Sequence, residues 1–210
     1  MTIPVAAYQN TPWPEPDNVS SDGRRQRSSR SRRQIIEAVF DLLKAGDLSP
    51  SAAAVAKQAD VGLRTVFRHF EDMDSIYNEM AEQAFEAIKP KIEVPLEAQT
   101  WREQLMEILD KRADIFETVF PMQVCMHIRR FKSDFLQAQH ERDLALFEKS
   151  LRAVLPDIIL NDPPLLAALD VALGFPTWQR LRQDQGLTVD QAKDAIAVIL
   201  KALIKDIEDD

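Results

Sequence analysis

The chain has 210 residues, of which 45% are hydrophobic, and its formal net charge is -8 at pH 7. This length allows either one large domain or a small domain joined to a larger one. The single cysteine, Cys125, excludes an internal disulfide and a cysteine-based zinc site. No apolar run reaches the roughly 20 residues of a membrane span, and the N-terminal residues lack the order of a signal peptide, so we expect a cytoplasmic protein without a membrane partner.

Positive charge is concentrated in residues 24–70. This segment holds ten arginines and lysines against four acidic residues, whereas the rest of the chain is strongly acidic. A short basic module on an acidic body is typical of a DNA-binding domain attached to a second domain. An ordinary solvated arginine cluster gives the same pattern, and charge alone does not separate the two interpretations.

The N-terminal part predicts a tail followed by a helix. Residues 1–23 contain four prolines among polar residues and no apolar period, which predicts disorder. From Arg30 onward the apolar residues recur at helical spacing, and Gly46 suits a helix end. We therefore predict helix 1 between these two residues.

Three shorter helical segments complete a first domain, residues 24–89. Ser51 is a good N-cap for an alanine-rich helix 2, and a break at residues 60–62 precedes helix 3. Helix 4 is predicted to run from Asp74 to Pro90.

The remaining residues, 96–210, predict a larger helical body. Thr100 and Glu103 have the spacing of a capping box at the start of helix 5, and Pro121 fits the first turn of helix 6. Helix 7 follows, helix 8 spans residues 163–185, and a second capping box at Thr188 opens helix 9. No alternating run indicates a strand, so we predict an all-α fold of about nine helices.

Residues 51–70 have the features of a helix-turn-helix. Small residues in helix 2 allow a close crossing, and residues 60–62 supply a tight connection. In helix 3, Val66 and Phe70 share a buried face while basic residues lie outside. Because arginine can fork onto guanine and threonine can touch a thymine methyl group or a phosphate, this face predicts a helix that reads double-stranded DNA.

The sequence ADVGLRTVFRHF at residues 59–70 resembles the central signature of the TetR family of transcriptional regulators. Val55-Ala56 and Ile76-Tyr77 resemble family pairs in helices 2 and 4. The resemblance implies an N-terminal three-helix helix-turn-helix domain and a larger C-terminal domain that binds an effector and dimerises. It also implies regulation of transcription, more often by repression than by activation.

Several residues depart from the family pattern. Asp60 replaces a turn glycine, Gly62 a capping serine, Phe67 a tyrosine and Met73 a lysine, which together remove phosphate contacts. We expect the arginine run ahead of helix 1 to compensate by lying across phosphates or in a minor groove. That run comprises Arg24, Arg25, Arg27, Arg30, Arg32 and Arg33.

His69 either contacts a phosphate, as the resemblance implies, or only packs the corner between helices 3 and 4. The candidate DNA-binding residues are Arg30, Arg32, Arg33, Ser51, Gly62, Leu63, Arg64, Thr65, Phe67, Arg68 and His69.

Aromatic residues and methionines in the body are candidates for an effector pocket. Flexible methionines and flat rings suit a small apolar or amphipathic ligand, although plain core packing explains the same residues. The candidate pocket residues are Trp101, Phe116, Phe120, Met122, Met126 and Trp178.

Helix 9 carries an apolar stripe wider than one core requires, which predicts a second buried surface. Small residues in helix 8 allow a close approach, so we expect the last two helices of two chains to form a homodimer on a palindromic operator. The candidate interface residues are Ala168, Ala172, Phe175, Ala195, Ile199 and Leu203.

Enzymatic chemistry is not indicated. Cys125 and His127 are two residues apart and point to different sides of a helix, so we expect an inert cysteine and neither a metal nor a cofactor. No nucleophilic triad or phosphate-binding loop is evident. The alternative to a DNA-binding regulator is a helical interaction adaptor that has lost DNA binding, which Gly62, Phe67 and Met73 motivate.

Overall fold

The computed structural model describes residues 23–208, with side chains from residue 29 onward. The predicted tail therefore lies outside the described residues, apart from Gly23. Within them the fold is all-α, as predicted, and contains no strand. The helices are α1 (Gly23–Lys44), α2 (Ala52–Gln58), α3 (Leu63–His69), α4 (Met73–Glu93), α5 (Trp101–Arg129), a 3-10 turn (Arg130–Lys132), α6 (Asp134–Arg152), α7 (Asp157–Leu160), α8 (Pro163–Ala172), α9 (Phe175–Gln179), a π-helical turn (Arg180–Asp184) and α10 (Val189–Leu203).

The described chain forms two compact units. The first unit takes in the residues up to Lys89 together with Val119–His140, and the second unit holds Pro90–Thr118 and the residues from Glu141 onward. From the sequence, residues 119–140 were expected in the larger C-terminal domain. Helical periodicity identifies the buried face of a helix but not the helix that covers it.

The core of the first unit is built on the inward faces of α1 to α4. Helix α1 ends where Gly46, with φ of 94°, lets the amides of Gly46 and Asp47 return to the carbonyls of Leu43 and Leu42. The fully buried side chains of this core include Ile35, Val39, Leu43, Val55, Ile76, Tyr77 and Met80.

Helix α5 continues through Pro121, so the predicted break between helices 5 and 6 is wrong. Proline donates no amide hydrogen to the carbonyl of Glu117, and its ring crowds that carbonyl, at a cost of about 3 kcal/mol. The neighbouring Phe120 and Met122 are buried, and each such side chain contributes about 1.5–3 kcal/mol. Burial on both sides of the proline therefore offsets its cost.

The predicted helix 8 is interrupted after Ala172. Gly174 is extended, with φ of -78° and ψ of 154°, and caps the short helix α9, which carries a proline in its first turn. A Cβ on Gly174 would lie 3.3 Å from the carbonyl oxygen of Asp170, so a larger residue would require that backbone to shift by a few tenths of an ångström. The predicted stop at Gly186 is confirmed by its positive φ of 67°.

Both predicted capping boxes are present. The Thr188 hydroxyl accepts from the amide of Gln191 at 3.2 Å, and the Gln191 side chain accepts from the amide of Thr188 at 2.9 Å. Thr100 and Glu103 make the equivalent reciprocal bonds at the start of α5.

Candidate nucleic-acid interface

The connection between α2 and α3 is a tight turn closed by backbone hydrogen bonds. The amide of Val61 donates to the carbonyl of Ala56 at 3.0 Å, and the amide of Asp60 to that of Lys57 at 3.3 Å. Asp60 has φ of 53°, a left-handed conformation that glycine adopts freely and that costs other residues on the order of 1 kcal/mol. This conformation explains physically why a glycine suits the position better.

Ser51 and Gly62 cap the two helices differently. The Ser51 hydroxyl accepts from the amide of Ala54 at 3.2 Å, so it holds the start of α2 and keeps its own proton to donate. Gly62 precedes α3 with no side-chain cap, and a Cβ there would meet only the Thr65 hydroxyl, at 3.9 Å. The serine that the family pattern places here would therefore fit.

Helix α3 separates one buried face from one exposed face. Val66 is buried, and Phe70 follows the helix on the same side. Arg64 and Arg68 are exposed, and within residues 29–208 neither of them has a salt-bridge partner. Leu63 and Phe67 also face outward, with 46% and 50% of their surface exposed, whereas Thr65 is half-buried. The exposed face, defined as Leu63, Arg64, Phe67 and Arg68, is called the α3 outer face.

Arg32 is engaged within the first unit, which differs from its predicted role at a phosphate. Its Nε donates to Glu79 Oε2 at 2.6 Å, and its Nη1 donates to the carbonyl of His69 at 2.6 Å. Its guanidinium also lies 4.3 Å from the centre of the Phe70 ring. Arg32 therefore ties α1 to α4 and to the end of α3.

The other predicted basic residues of α1 remain available. Arg30 is exposed and Arg33 is half-buried, and both belong to the helix rather than to a segment ahead of it. The side chains of Arg24, Arg25 and Arg27 lie outside the described residues.

His69 is half-buried at the end of α3, and its Nε2 is buried without a hydrogen-bond partner among the described residues. Burial lowers its pKa, and the charges of Arg68 and Arg32 lower it further. Burial and the two arginines therefore favour the neutral imidazole, and the contact of His69 with a phosphate stays a prediction.

The predicted pocket residues do not share one unit. Met122 and Met126 are buried in the core of the first unit, and Phe120 belongs to the same stretch. In the second unit, Phe116 packs edge-on against Phe175, with ring centres 5.4 Å apart. Trp101, also in the second unit, is half-buried.

Trp178 is buried in the second unit, and its indole Nε1 donates to Glu117 at 2.9 Å. Arg182 donates to the same carboxylate, with 2.9 Å between its Nε and Oε1. This arrangement satisfies the polar atom of the buried ring and marks Trp178 as part of the core.

A cavity of about 110 Å³ in the second unit has a different lining from the predicted pocket. It lies between residues 91–96, the middle of α5 and the second half of α6, and none of the six predicted residues lines it. Arg112 projects from α5 into its wall with only 3% of its surface exposed. The sequence did not indicate this residue, because a single arginine in an amphipathic helix is normally expected on the solvent-exposed face.

The predicted interface residues lie in α8, α9 and α10. Ala172 and Phe175 are buried in the subunit's own core, which leaves them no surface for a partner and differs from the expectation. Ile199 is 41% exposed, and Ala168, Ala195 and Leu203 are half-buried. Val171 and Val198, each 68% exposed, lie on α8 and α10, which pack against each other. The exposed Val171, Val198 and Ile199 are called the α8–α10 apolar face.

Cys125 is buried, and burial raises the pKa of its thiol to about 12, so the thiol is unreactive. His127 packs edge-on against His140, with ring centres 5.0 Å apart. Among residues 23–208 no three histidine, cysteine or acidic side chains are placed to hold a metal ion. No helix in this part of the chain has the length and apolar character needed to span a membrane.

Several solved structures have a similar fold. A transcriptional regulator from Rhodococcus sp. Rha1 matches with a TM-score of 0.62 and 16% identity, over 83% of this chain and 96% of its own. A regulator from Rhodococcus sp. assigned to the TetR family matches with a TM-score of 0.62 and 10% identity, over 84% and 99%. A third, from Mesorhizobium loti and also assigned to that family, matches with a TM-score of 0.59 and 16% identity, over 85% and 97%.

No protein-family model matches the sequence, and no curated protein matches it. The structural likeness nevertheless spans most of the chain and nearly all of each neighbour. The chain therefore has the fold of the TetR-family transcriptional regulators.

Proposed function

We propose that this protein is a DNA-binding transcriptional regulator that contacts an operator with helix α3. The α3 outer face carries the proposal, since it presents Arg64 and Arg68 on a short helix whose opposite side is held by buried Val66. A helix of this kind fits the major groove of B-DNA, where arginine forks onto guanine O6 and N7.

The surroundings of α3 support this assignment. Arg30 and Arg33 on α1 add positive charge, and the Ser51 hydroxyl at the start of α2 retains a donor for a phosphate. Arg32 supports the interface indirectly, because its bonds to Glu79 and to the carbonyl of His69 hold the end of α3 in place. Phosphate contacts then fix the register and Arg64 and Arg68 supply the sequence preference.

The regulator acts as a homodimer in this proposal. The α8–α10 apolar face leaves Val171, Val198 and Ile199 in water, which a second copy would cover. Two recognition helices related by a two-fold axis predict a roughly palindromic operator. A small effector would favour a spacing of these helices that no longer fits successive major grooves, and the resulting release would relieve repression.

Selection of bound sites from random duplex DNA tests the proposal, followed by gel-shift titrations over a range of salt concentrations. We expect a selected site with two-fold symmetry. Arg64→Ala and Arg68→Ala should each weaken binding to that site by about 1–3 kcal/mol and relax the preference at one base position. Lys149→Ala, which removes one exposed positive charge from α6, is the matched control and should leave affinity unchanged.

Failure to enrich any sequence, with binding that is equal for native protein and both arginine variants, would overturn the assignment. That result would favour the interaction adaptor, for which exposed Leu63 and Phe67 would supply an apolar contact surface. If the selected DNA site lacks two-fold symmetry, sequence recognition by α3 is still supported, but the proposed homodimer is contradicted.

A further inference from the structure

The cavity in the second unit is lined mainly by apolar side chains, and all of its charged lining residues are cationic. Seven of its lining residues are apolar, and its charged lining residues are Lys91, Lys111 and Arg112, with no carboxylate among them. Acidic side chains outside the lining, Asp114 and Glu107, pair with the two lysines, so the uncompensated positive charge of the wall lies mainly on Arg112, where it acts in a low dielectric. The cavity therefore suits a ligand with one negative charge and an apolar remainder.

The two lysines are held by partners of their own. Lys91 Nζ is 2.6 Å from a carboxylate oxygen of Asp114 and 2.9 Å from the hydroxyl of Thr118. Lys111 Nζ donates to the carbonyls of Val94 and Pro95 and lies 3.5 Å from a carboxylate oxygen of Glu107. These contacts fix the rim of the cavity, and they leave Arg112 as the cation with the weakest charge pairing.

Arg112 is almost fully buried but incompletely paired. Its Nη1 donates to the carbonyl of Leu173 at 3.3 Å, and its Nη2 to that of Phe147 at 2.7 Å. Its Nε is buried without a hydrogen-bond partner among the described residues. Its nearest carboxylate, on Asp170, is 3.9 Å away and well exposed to solvent.

A buried guanidinium left in this state is unusual, because an unmatched buried charge carries a large desolvation cost. Burial lowers the pKa of Arg112 to about 10, so the side chain is still charged near pH 7. Neutral carbonyls satisfy part of its hydrogen bonding but leave the charge uncompensated. A ligand carboxylate against the guanidinium would compensate this charge in the planar geometry that arginine favours.

We propose that this cavity is the effector site and that its ligand is a small amphipathic carboxylate whose charged end pairs with Arg112. Calling the ligand an effector rests on the proposed function; the binding site itself does not. A closed apolar cavity of about 150 Å³ holds benzene. This cavity, of about 110 Å³, is smaller but opens to solvent beside the exposed Val94, so a short acyl chain fits inside it and a single ring fits with one edge at the opening.

Isothermal titration calorimetry of the full chain, without DNA, tests the site with three single-ring probes of similar size. Benzoate carries the charge, benzamide is its neutral isostere, and benzylamine is a cation. We expect benzoate to bind the native protein at least about tenfold more tightly than either of the others, as a charged hydrogen bond predicts. Equal affinity for benzoate and benzamide, or no saturable binding of benzoate up to about 10 mM, would overturn the proposal.

Variants then locate the binding. Arg112→Gln should weaken benzoate at least about tenfold and leave benzamide unchanged, whereas Arg112→Lys should keep most of the preference for the anion. Leu146→Phe fills the cavity from a half-buried position and should weaken both probes. Unaltered benzoate binding in Leu146→Phe would place the ligand elsewhere and refute the site.

If Arg112→Gln fails to fold, the comparison of benzoate with benzamide on the native chain and the Leu146→Phe variant still decide the matter. If the protein does not bind DNA, the proposed function is wrong, but the measured affinities for benzoate and benzamide still test the binding site. A failure of the titrations would equally leave DNA binding by α3 intact.

Discussion

The Arg32 guanidinium pairs with the Glu79 carboxylate at 2.6 Å from Nε to Oε2, and the pair joins α1 to α4. The same arginine donates to the carbonyl of His69 and stacks on Phe70, both at the end of α3. One side chain therefore ties the candidate recognition helix to the long helices α1 and α4. A residue with this role should affect the folding of the first unit more than the charge that DNA meets.

Arg32→Ala should lower the free energy of unfolding by about 1 kcal/mol, since the pair is partly exposed but is reinforced by a backbone carbonyl and a ring. Glu79→Gln should have a similar effect. Arg33→Ala, in contrast, should leave stability unchanged and reduce the salt dependence of DNA binding by about one phosphate contact. Denaturant unfolding and salt-dependent gel shifts separate the cases. If Arg32→Ala keeps the native stability but reduces the salt dependence of DNA binding, Arg32 contacts a phosphate instead.

Gly62→Ser should stabilise the protein by about 0.5–1 kcal/mol. The backbone of Gly62 is already extended, a Cβ meets nothing closer than 3.9 Å, and a serine hydroxyl would add the side-chain cap that the start of α3 lacks. Gly186→Ala is the contrasting control and should be destabilising, because φ there is +67°. Thermal unfolding measures both. A lower stability of Gly62→Ser would mean that the start of α3 has no space or no extended backbone for a capping side chain.

The sequence was sufficient for the fold class and for the α2–turn–α3 segment. Apolar spacing places Val66 inside and Arg64 and Arg68 outside, because a helix of two turns has few ways to bury one face. The capping boxes at Thr100 and Thr188 were equally readable, since each involves residues three positions apart.

Other features depend on partners distant in sequence. Whether Pro121 ends a helix depends on the burial of Phe120 and Met122 around it. The role of Arg32 depends on Glu79, 47 residues away, and that of Arg112 on carbonyls 35 and 61 residues away. A local pattern identifies a basic residue but not the group that it meets.

Val198→Glu should convert a dimer to a monomer, because it places a charge in an apolar face that a second copy is proposed to cover. Ile128→Glu, an equally drastic change at a residue that is 52% exposed on α5, is the matched control and should leave the assembly unchanged. Sedimentation equilibrium reports the mass of each. If both variants and the native chain have the same mass, the α8–α10 apolar face is not a dimer interface.

The stability of the native chain should fall as the pH is lowered from about 6.5 towards 4. Burial, His140 and Arg130 lower the pKa of His127 to about 4, whereas an unfolded histidine titrates near 6.5. Between these values the unfolded chain binds a proton that the native chain does not, so acidification favours unfolding. His127→Gln removes this contribution and should flatten the dependence, as urea unfolding at several pH values would measure. Parallel curves for native and variant protein would mean that His127 takes up its proton normally in the folded state.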